Sequence, residues 1–464
     1  MTDRPVTQVR AVLAELVDLA DGLAAEALSD DVLTEVGRRV ADAVGCMLGG
    51  ATTGPARMTY DAVGSTTGEA TLAGDPRRSS IAGATLANST SLRSLDFMDG
   101  HPGPYSCHPS LSIPAILATA ETRDVSGLDV ARAIVLAYEL DARLQLASGD
   151  PDITVRGWSG STNLALATSY GVGALLGLRG RRLVDAMAIA TVHAPTLDAS
   201  SRGQMAQSKA AVDGMVAMSA VTAVHLAAAG MTGPLGAYNG DGGFVTAVAG
   251  RFDPTVLLAP FGRFRILDCY TKVYNAVKCA QSAAAAALDL RKEFGDTDEI
   301  SAVTLRLADR DWRNQLKDVA DRRRPANRDT ANHSVVYCVA AALVEGDLGA
   351  RQFDQQCLTD RRILNLIDKT TITRDDQLTR HWPAANPATV EIRLSSGATC
   401  TKTVLYPPGH PRNPVTTAQL AAKVAQLTVN GGRSADEILH TALQLATLPS
   451  VRPMMDLLVT TNGH

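Results

Sequence analysis

The sequence predicts a mainly α protein interrupted by one α+β unit, and three observations carry that reading. Apolar residues recur at helical spacing through most of the first 230 positions. Alternating apolar stretches of the kind that form strands appear only after residue 265. Aromatic residues make up only 4% of the chain while alanine is abundant, which suits helices packed closely through small side chains.

Taken in order, Ser29, Asp30 and Asp31 offer N-capping oxygens ahead of Leu33, Val36, Val40, Val44 and Met47, and Gly49 and Gly50 supply the stop. The same pattern recurs over 128–147, over 163–178 with Gly180 behind it, over 183–192, and over 209–230 after a polar loop. Connections are short and rich in Gly, Pro and Ser, with no βαβ alternation and no repeat of fixed period. The run 300–307 alternates, with Val303, Leu305 and Leu307 on one face, and reads as a strand. Val390, Ile392 and Leu394, then Ser395, Ser396 and Gly397, then a second alternating run to Leu405 read as a hairpin. Helical patterns over 276–291 and 333–343 lie between these runs, so 268–405 reads as a separate α+β unit. Beyond Pro414, helical spacing over 417–427 and 435–448 returns the chain to its first domain.

Composition narrows the function. A chain of 464 residues has room for two or three domains, and 45% apolar with 20% charged residues excludes a mainly disordered polymer. The formal charge of −4 is too balanced for nucleic acid to be the main partner. No stretch approaches the ~18 uninterrupted apolar residues of a membrane span, and the segment MTDRPVTQVR lacks the apolar core of a secretory signal. The expectation is a cytoplasmic protein with no membrane partner. Seven cysteines, none in close ligand spacing, argue for reduced thiols rather than an iron–sulfur cluster or structural zinc.

The densest polar segment holds Asp96, Asp99, His101 and His108 among prolines and glycines. Such a loop presents general acids and bases near neutral pH; it equally fits a solvated connection between helices. A metal reading is weaker, because the spacings match no named site. Lys209 opens an apolar helix, where a cation opposes the helix dipole unless a bound carboxylate offsets it; the plainer alternative is a lysine snorkelling from the surface. His333 and Tyr337 are four apart and share a face, behind Arg322, Arg323, Arg324 and Arg328. A tyrosine of lowered pKa could exchange protons there and the arginines hold a polyacid, or the ring is core and the arginines are wet. Lys272 and Gln281 give a polar head to an alanine-rich helix and decide nothing alone.

Together these blocks resemble a family. Leu95-Asp96-Phe97-x-Asp99 followed by His108-Pro109-Ser110 is similar to the LDFDDTH…HPS signature of the MmgE/PrpD family, which includes 2-methylcitrate dehydratase and cis-aconitate decarboxylase. Arg156-Gly157-Trp158, Lys209 ahead of Gly230-Met231-Thr232-Gly233-Pro234, Lys272 with Gln281, the block from Arg328 to Ser334 with Tyr337, and Pro407-Pro408-Gly409 follow in the same order. The resemblance implies a large all-helical domain (1–267 with 410–464), a smaller α+β lid domain (268–409), a homodimer, and no metal or organic cofactor. It places the family's active-site aspartate on Asp96, its loop histidine on His108, its lysine on Lys209 and its lid tyrosine on Tyr337. Asp99, His101, Ser159, Lys272, Gln281 and His333 fall to substrate binding.

The resemblance further implies a cofactor-independent lyase acting on a small di- or tricarboxylic acid. The reaction expected is dehydration of a β-hydroxy acid, in the manner of 2-methylcitrate dehydratase, begun by removing a proton α to a carboxylate. His108 exchanges protons under the orientation of Asp96, and Tyr337 reaches in as a second acid/base. Three positions depart from the family: Gly100 replaces a threonine, Ser159 stands where the decarboxylase branch has a histidine, and Cys279 replaces another histidine. The last two favour dehydration over decarboxylation. Decarboxylation, epimerisation and a binding protein without turnover remain the alternatives.

Overall fold

The computed structural model describes residues 6–25, 28–65, 67–148, 152–294, 297–429 and 434–459. The protein is mainly α. Its helical part comprises Val6–Ala25, Asp30–Gly50, Gly54–Val63, Ile81–Arg93, Ile113–Arg123, Gly127–Ala147, Thr162–Leu175, Gly180–His193 and Val212–Ala228. Local chemistry starts these helices: Ser80 Oγ accepts from the Gly83 amide, and Ser126 Oγ from the Asp129 amide. Small residues then set how closely they pack. A Cβ on Gly50 would lie 1.9 Å from the Ser91 carbonyl oxygen, so only glycine lets Asp30–Gly50 cross Ile81–Arg93 at this distance. Ser91 Oγ seals the crossing by donating to the Met47 carbonyl at 2.7 Å.

Two hydrophobic clusters divide the interior. The first draws on residues from Val12 to Cys269 and resumes with Leu420 to Leu458. The C-terminal helices Thr417–Thr428 and Ala435–Leu443 accordingly pack on Asp30–Gly50. The second draws on Ala276 to Ile392. It is built from the helices Gln281–Leu290, Val335–Glu345 and Arg361–Asp368 and a four-stranded sheet. In the sheet, Thr370–Arg374 pairs parallel to Ile300–Leu307, which pairs antiparallel to Ala388–Leu394, which pairs antiparallel to Thr399–Val404. Leu305 lies opposite Ile372 on one side and Val390 on the other. The alternation in 300–307 buries Val303, Leu305 and Leu307 as expected, Ile300 is buried too because the register shifts between it and Ala302, and the hairpin forms across 395–398. The strand Thr370–Arg374 has no such signal: only Ile372 among its five residues is strongly apolar, and pairing with Ile300–Leu307 recruits it.

Buried cations tie the two parts together. Arg39 donates to the carbonyls of Cys269 and Tyr270 at 2.7 and 3.1 Å, and to Thr271 Oγ1 at 2.9 Å, fixing the segment where the chain passes from the helical part to the α+β part. Gly100 and Tyr270 exchange backbone hydrogen bonds at 2.8 and 3.2 Å. Lys423, from the C-terminal return, donates to the carbonyls of Phe97 and Lys272 at 2.8 and 2.9 Å and pairs with Asp42 at 2.6 Å. These bonds set the 95–101 loop against the segment carrying Lys272.

Among the described residues, Gln207–Ala228 alone is long and apolar enough to cross a membrane, and 56% of its most apolar window is buried inside the protein. It opens as a tight 3-10 turn, Gln207–Ala211, before the α-helix proper.

Candidate functional site

The carboxylate of Asp96 is built by an abrupt end to a helix. Ile81–Arg93 stops and Asp96 takes φ +48°, the left-handed conformation that aspartate tolerates better than most residues. The turn places its Oδ1 2.5 Å from Arg93 Nη1 and 3.0 Å from Lys272 Nζ, while Lys272 also donates to the Asp96 carbonyl at 2.8 Å. Arg93 Nε reaches Asp213 at 3.2 Å. Burial opposes ionisation of Asp96, yet the charges of Lys272 and Arg93 prevail and hold its carboxyl well below the usual carboxylate range. Its Oδ2 is buried without a hydrogen-bond partner.

His108 closes the same loop just before the turn Pro109–Ser112. Its Nδ1 lies 2.7 Å from the Asp99 carbonyl, which can only accept, so Nδ1 carries the hydrogen and Nε2 the lone pair. Burial, followed by the charges of Lys272 and Arg93, pushes its pKa well down. The ring is neutral at pH 7 and Nε2 is a base. His333 is set in the same way: Nδ1 donates to the Asp329 carbonyl at 2.9 Å and to Asn332 Oδ1, and burial with the nearby Lys209 charge keeps the ring neutral.

Lys209 is 6% exposed, and its ammonium makes no hydrogen bond or ion pair among the described residues. Burial lowers its pKa to about 8, helped by the Arg93 charge and resisted by Asp96, Asp329 and Asp213. It is a cation held ready for an anion that the protein does not provide.

Asp96, His108, Ser159, Lys209, Lys272 and His333 line one cavity of about 160 Å³ between the helical part and the α+β part. Lysines and arginines outnumber aspartates on its wall; the α+β part supplies Lys278, Arg310, Lys317 and Arg322. Ser159 and Cys279 both face it, so two of the three positions that depart from the resembled pattern are on the wall, and Gly100 is not. Sequence reasoning missed Arg93, Lys278, Arg310 and Asp141. Asp141 had a legible signal: it is an acid among apolar neighbours on the buried face of Gly127–Ala147, where the other charged residues, Glu139 and Arg143, pair with each other and Asp129 and Arg132 pair at the exposed start of the helix. Among the described residues no group of three or more His, Cys, Asp or Glu side chains is arranged to hold a metal ion.

Family models for the MmgE/PrpD N-terminal and C-terminal domains match residues 14–257 and 274–445. The chain belongs to the MmgE/PrpD family. It is 24% identical over 477 residues to a cis-aconitate decarboxylase of Aspergillus terreus, covering 96% of each chain. It is 27% identical over 359 residues to a 2-methylcitrate dehydratase of Cupriavidus necator, covering 69% of each. A mitochondrial 2-methylcitrate dehydratase of Yarrowia lipolytica is 24% identical over 355 residues, covering 69% of this chain and 65% of that protein.

Four expectations carried over from the MmgE/PrpD pattern need correction. Tyr337 is buried in the core of the α+β part, where its hydroxyl donates to the Gln352 carbonyl at 2.6 Å and its ring packs on Phe353; burial pushes its pKa up, and it does not line the cavity. Asp99 accepts from Tyr138 Oη at 2.8 Å and from the Ser110 amide at 3.4 Å, so its carboxylate holds the loop rather than a substrate. His101 shares a hydrogen bond with Gln145 Oε1 at 2.8 Å, and burial pushes its pKa down to about 4. Gln281 closes the turn before its own helix by donating to the carbonyls of Tyr274 and Ala276 at 3.0 and 2.8 Å. None of these four lines the cavity. The orientation of His108 is also corrected: the Asp99 carbonyl holds its ring, not the Asp96 carboxylate.

Proposed function

We propose that this MmgE/PrpD member is a cofactor-independent hydro-lyase that dehydrates a small β-hydroxy di- or tricarboxylic acid. The observation that carries the reading is the meeting of a neutral, tautomer-fixed His108 with an unpaired Lys209 on one cation-rich cavity wall. A proton α to a carboxylate is weakly acidic, so its removal needs a placed base and cations where negative charge develops. His108 Nε2 takes the proton. Lys209 binds the adjacent carboxylate and stabilises the enolate-like charge. Lys272 is already occupied by Asp96 and acts by fixing that pair. The hydroxyl on the neighbouring carbon then leaves with its electron pair and is released as water.

In this reading the α+β part serves as a lid, contributing Lys278, Arg310 and Lys317 to the carboxylates remote from the reacting carbon, and the protein works as a homodimer whose mass light scattering would report. Ser159 and Cys279 supply no imidazole, which favours loss of water over loss of CO₂. Decarboxylation stays as a second reading because the Aspergillus terreus relative aligns over 96% of the chain. Incubation with hydroxy di- and tricarboxylates, following a new C=C absorbance alongside CO₂ release, decides between them. Alkene without CO₂ is the expected result. CO₂ without water loss overturns it, and so does exchange of the α-proton in deuterated water with no alkene formed.

A further inference from the structure

A dehydratase that uses His108 as its base also needs an acid, because hydroxide is a poor leaving group. The correction of Tyr337 leaves that position vacant. Asp141 is a carboxyl 2% exposed, on the wall of the same cavity, and its Oδ1 is buried with no hydrogen-bond partner. Its two charged neighbours on the helix, Glu139 and Arg143, are paired to each other at 2.7 Å and leave it without a counter-cation. The Cys107 thiol beside it is a weak donor, and the next residue in the chain is His108. A buried carboxyl without a cation or strong donors costs several kcal/mol to ionise and so keeps its proton.

We infer that Asp141 is the general acid of the cavity, donating its proton to the departing hydroxyl of a β-hydroxy carboxylate while His108 removes the α-proton. The inference rests on the dehydratase reading above. In the step, the C–H pair becomes the second bond of the alkene and the C–O pair leaves with oxygen. That oxygen takes the Asp141 proton and departs as water, leaving an Asp141 carboxylate and a His108 imidazolium that exchange protons with solvent. The groups facing Asp141 agree with this assignment. Burial, opposed by the Cys107 thiol and helped by the charges of Asp213 from Val212–Ala228 and Asp99 from the loop, brings its pKa up to about 7.

The test uses the full-length wild type and Asp141→Asn with a hydroxy tricarboxylate that the wild type dehydrates. Expected is a loss of about 100-fold or more in alkene formation, the range of general acid catalysis, with α-proton exchange in deuterated water kept within about tenfold. His108→Ala should lose both signals. In the wild type, kcat/KM should fall as pH rises through about 7, and that limb should be absent from the residual Asp141→Asn activity. Dehydration by Asp141→Asn within about threefold of wild type overturns the inference and leaves the dehydratase reading standing. A wild type that neither dehydrates nor exchanges with any such acid overturns both. Should the asparagine variant not fold, a wild-type kcat/KM that is flat from about pH 6 to 8 overturns the role of Asp141, and retention of the falling limb by Asp141→Glu supports it.

Discussion

Lys272 Nζ binds Asp96 twice, 2.8 Å from its main-chain oxygen and 3.0 Å from Oδ1, although 175 residues separate them in the chain. Both side chains are almost fully buried, and Arg93 completes a compact cluster of two cations on one carboxylate. The cluster positions the cavity wall and neutralises charge that would otherwise be stranded. Asp96→Asn leaves Lys272 and Arg93 facing a neutral amide, and breaking a buried ion cluster from one side costs about 3–5 kcal/mol. Urea unfolding reads this directly; a loss below about 1 kcal/mol would show that the carboxylate charge does not hold the two parts together.

Lys209 sets an alkaline limb. Its pKa lies near 8, so the ammonium is charged below that pH and grips carboxylate, and loses its proton above it. kcat/KM, which reports the free enzyme, should therefore steepen beyond roughly pH 8, by about a further tenfold per pH unit over the fall that Asp141 begins near pH 7. A bound anion holds the lysine protonated, so the corresponding limb in kcat moves to higher pH. Lys209→Arg removes this second limb and leaves the one near pH 7; steepening beyond about pH 8 that persists in that variant belongs to another group.

His108 should be separable from stability. It is half-buried and donates one hydrogen bond to the Asp99 carbonyl. His108→Gln keeps a donor but no base, so α-proton exchange should fall by about 10²–10⁴ while unfolding free energy changes by less than about 1 kcal/mol. A large stability loss with little change in exchange would make the histidine a structural residue.

Tyr337→Phe removes only the hydroxyl that donates to Gln352. The expected result is a loss of about 1 kcal/mol in stability and turnover within about twofold of wild type. A collapse in kcat with unchanged unfolding would return this tyrosine to the reaction.

Gly100 carries a departure from the family signature that has a steric cause. A Cβ there would sit 2.3 Å from Tyr270 Oη and 2.9 Å from the Cys107 carbonyl. Restoring the family residue by Gly100→Thr should destabilise by about 1–3 kcal/mol through overpacking. Combining it with Tyr270→Ala should recover part of that loss, and strict additivity of the two changes would refute the contact.

Periodicity and family resemblance made much of the molecule readable in advance. Helical spacing located Asp30–Gly50, Gly127–Ala147, Thr162–Leu175 and Val212–Ala228 but not Val6–Ala25, Ile81–Arg93 or Ile113–Arg123, and the alternation of Ile300–Leu307 located the central strand, because burial of one face leaves a period in the chain. Ordered blocks around Asp96, His108, Lys209, Lys272 and His333 marked the residues that the fold brings to one cavity. Spacing failed where the partner comes from elsewhere in the chain. Tyr337 and His333 are four residues apart, yet the helix begins between them, so one side chain enters the core of the α+β part and the other the cavity.

The chain alone determined the class of fold, the family and the inventory of ionisable groups, since these follow from local pattern and composition. Only the tertiary structure decided which of those groups are spent on one another. Asp99, His101 and Gln281 hold the loop and the helix start, Asp96 Oδ1 is taken by two cations, and among the described residues the Lys209 ammonium and Asp141 Oδ1 are left without a partner on the cavity wall. The reason is that a buried charge or donor is governed by whatever lies within a few ångströms, and those neighbours come from as near as 3 residues along the chain, as Arg93 does to Asp96, or as far as 176, as Lys272 does.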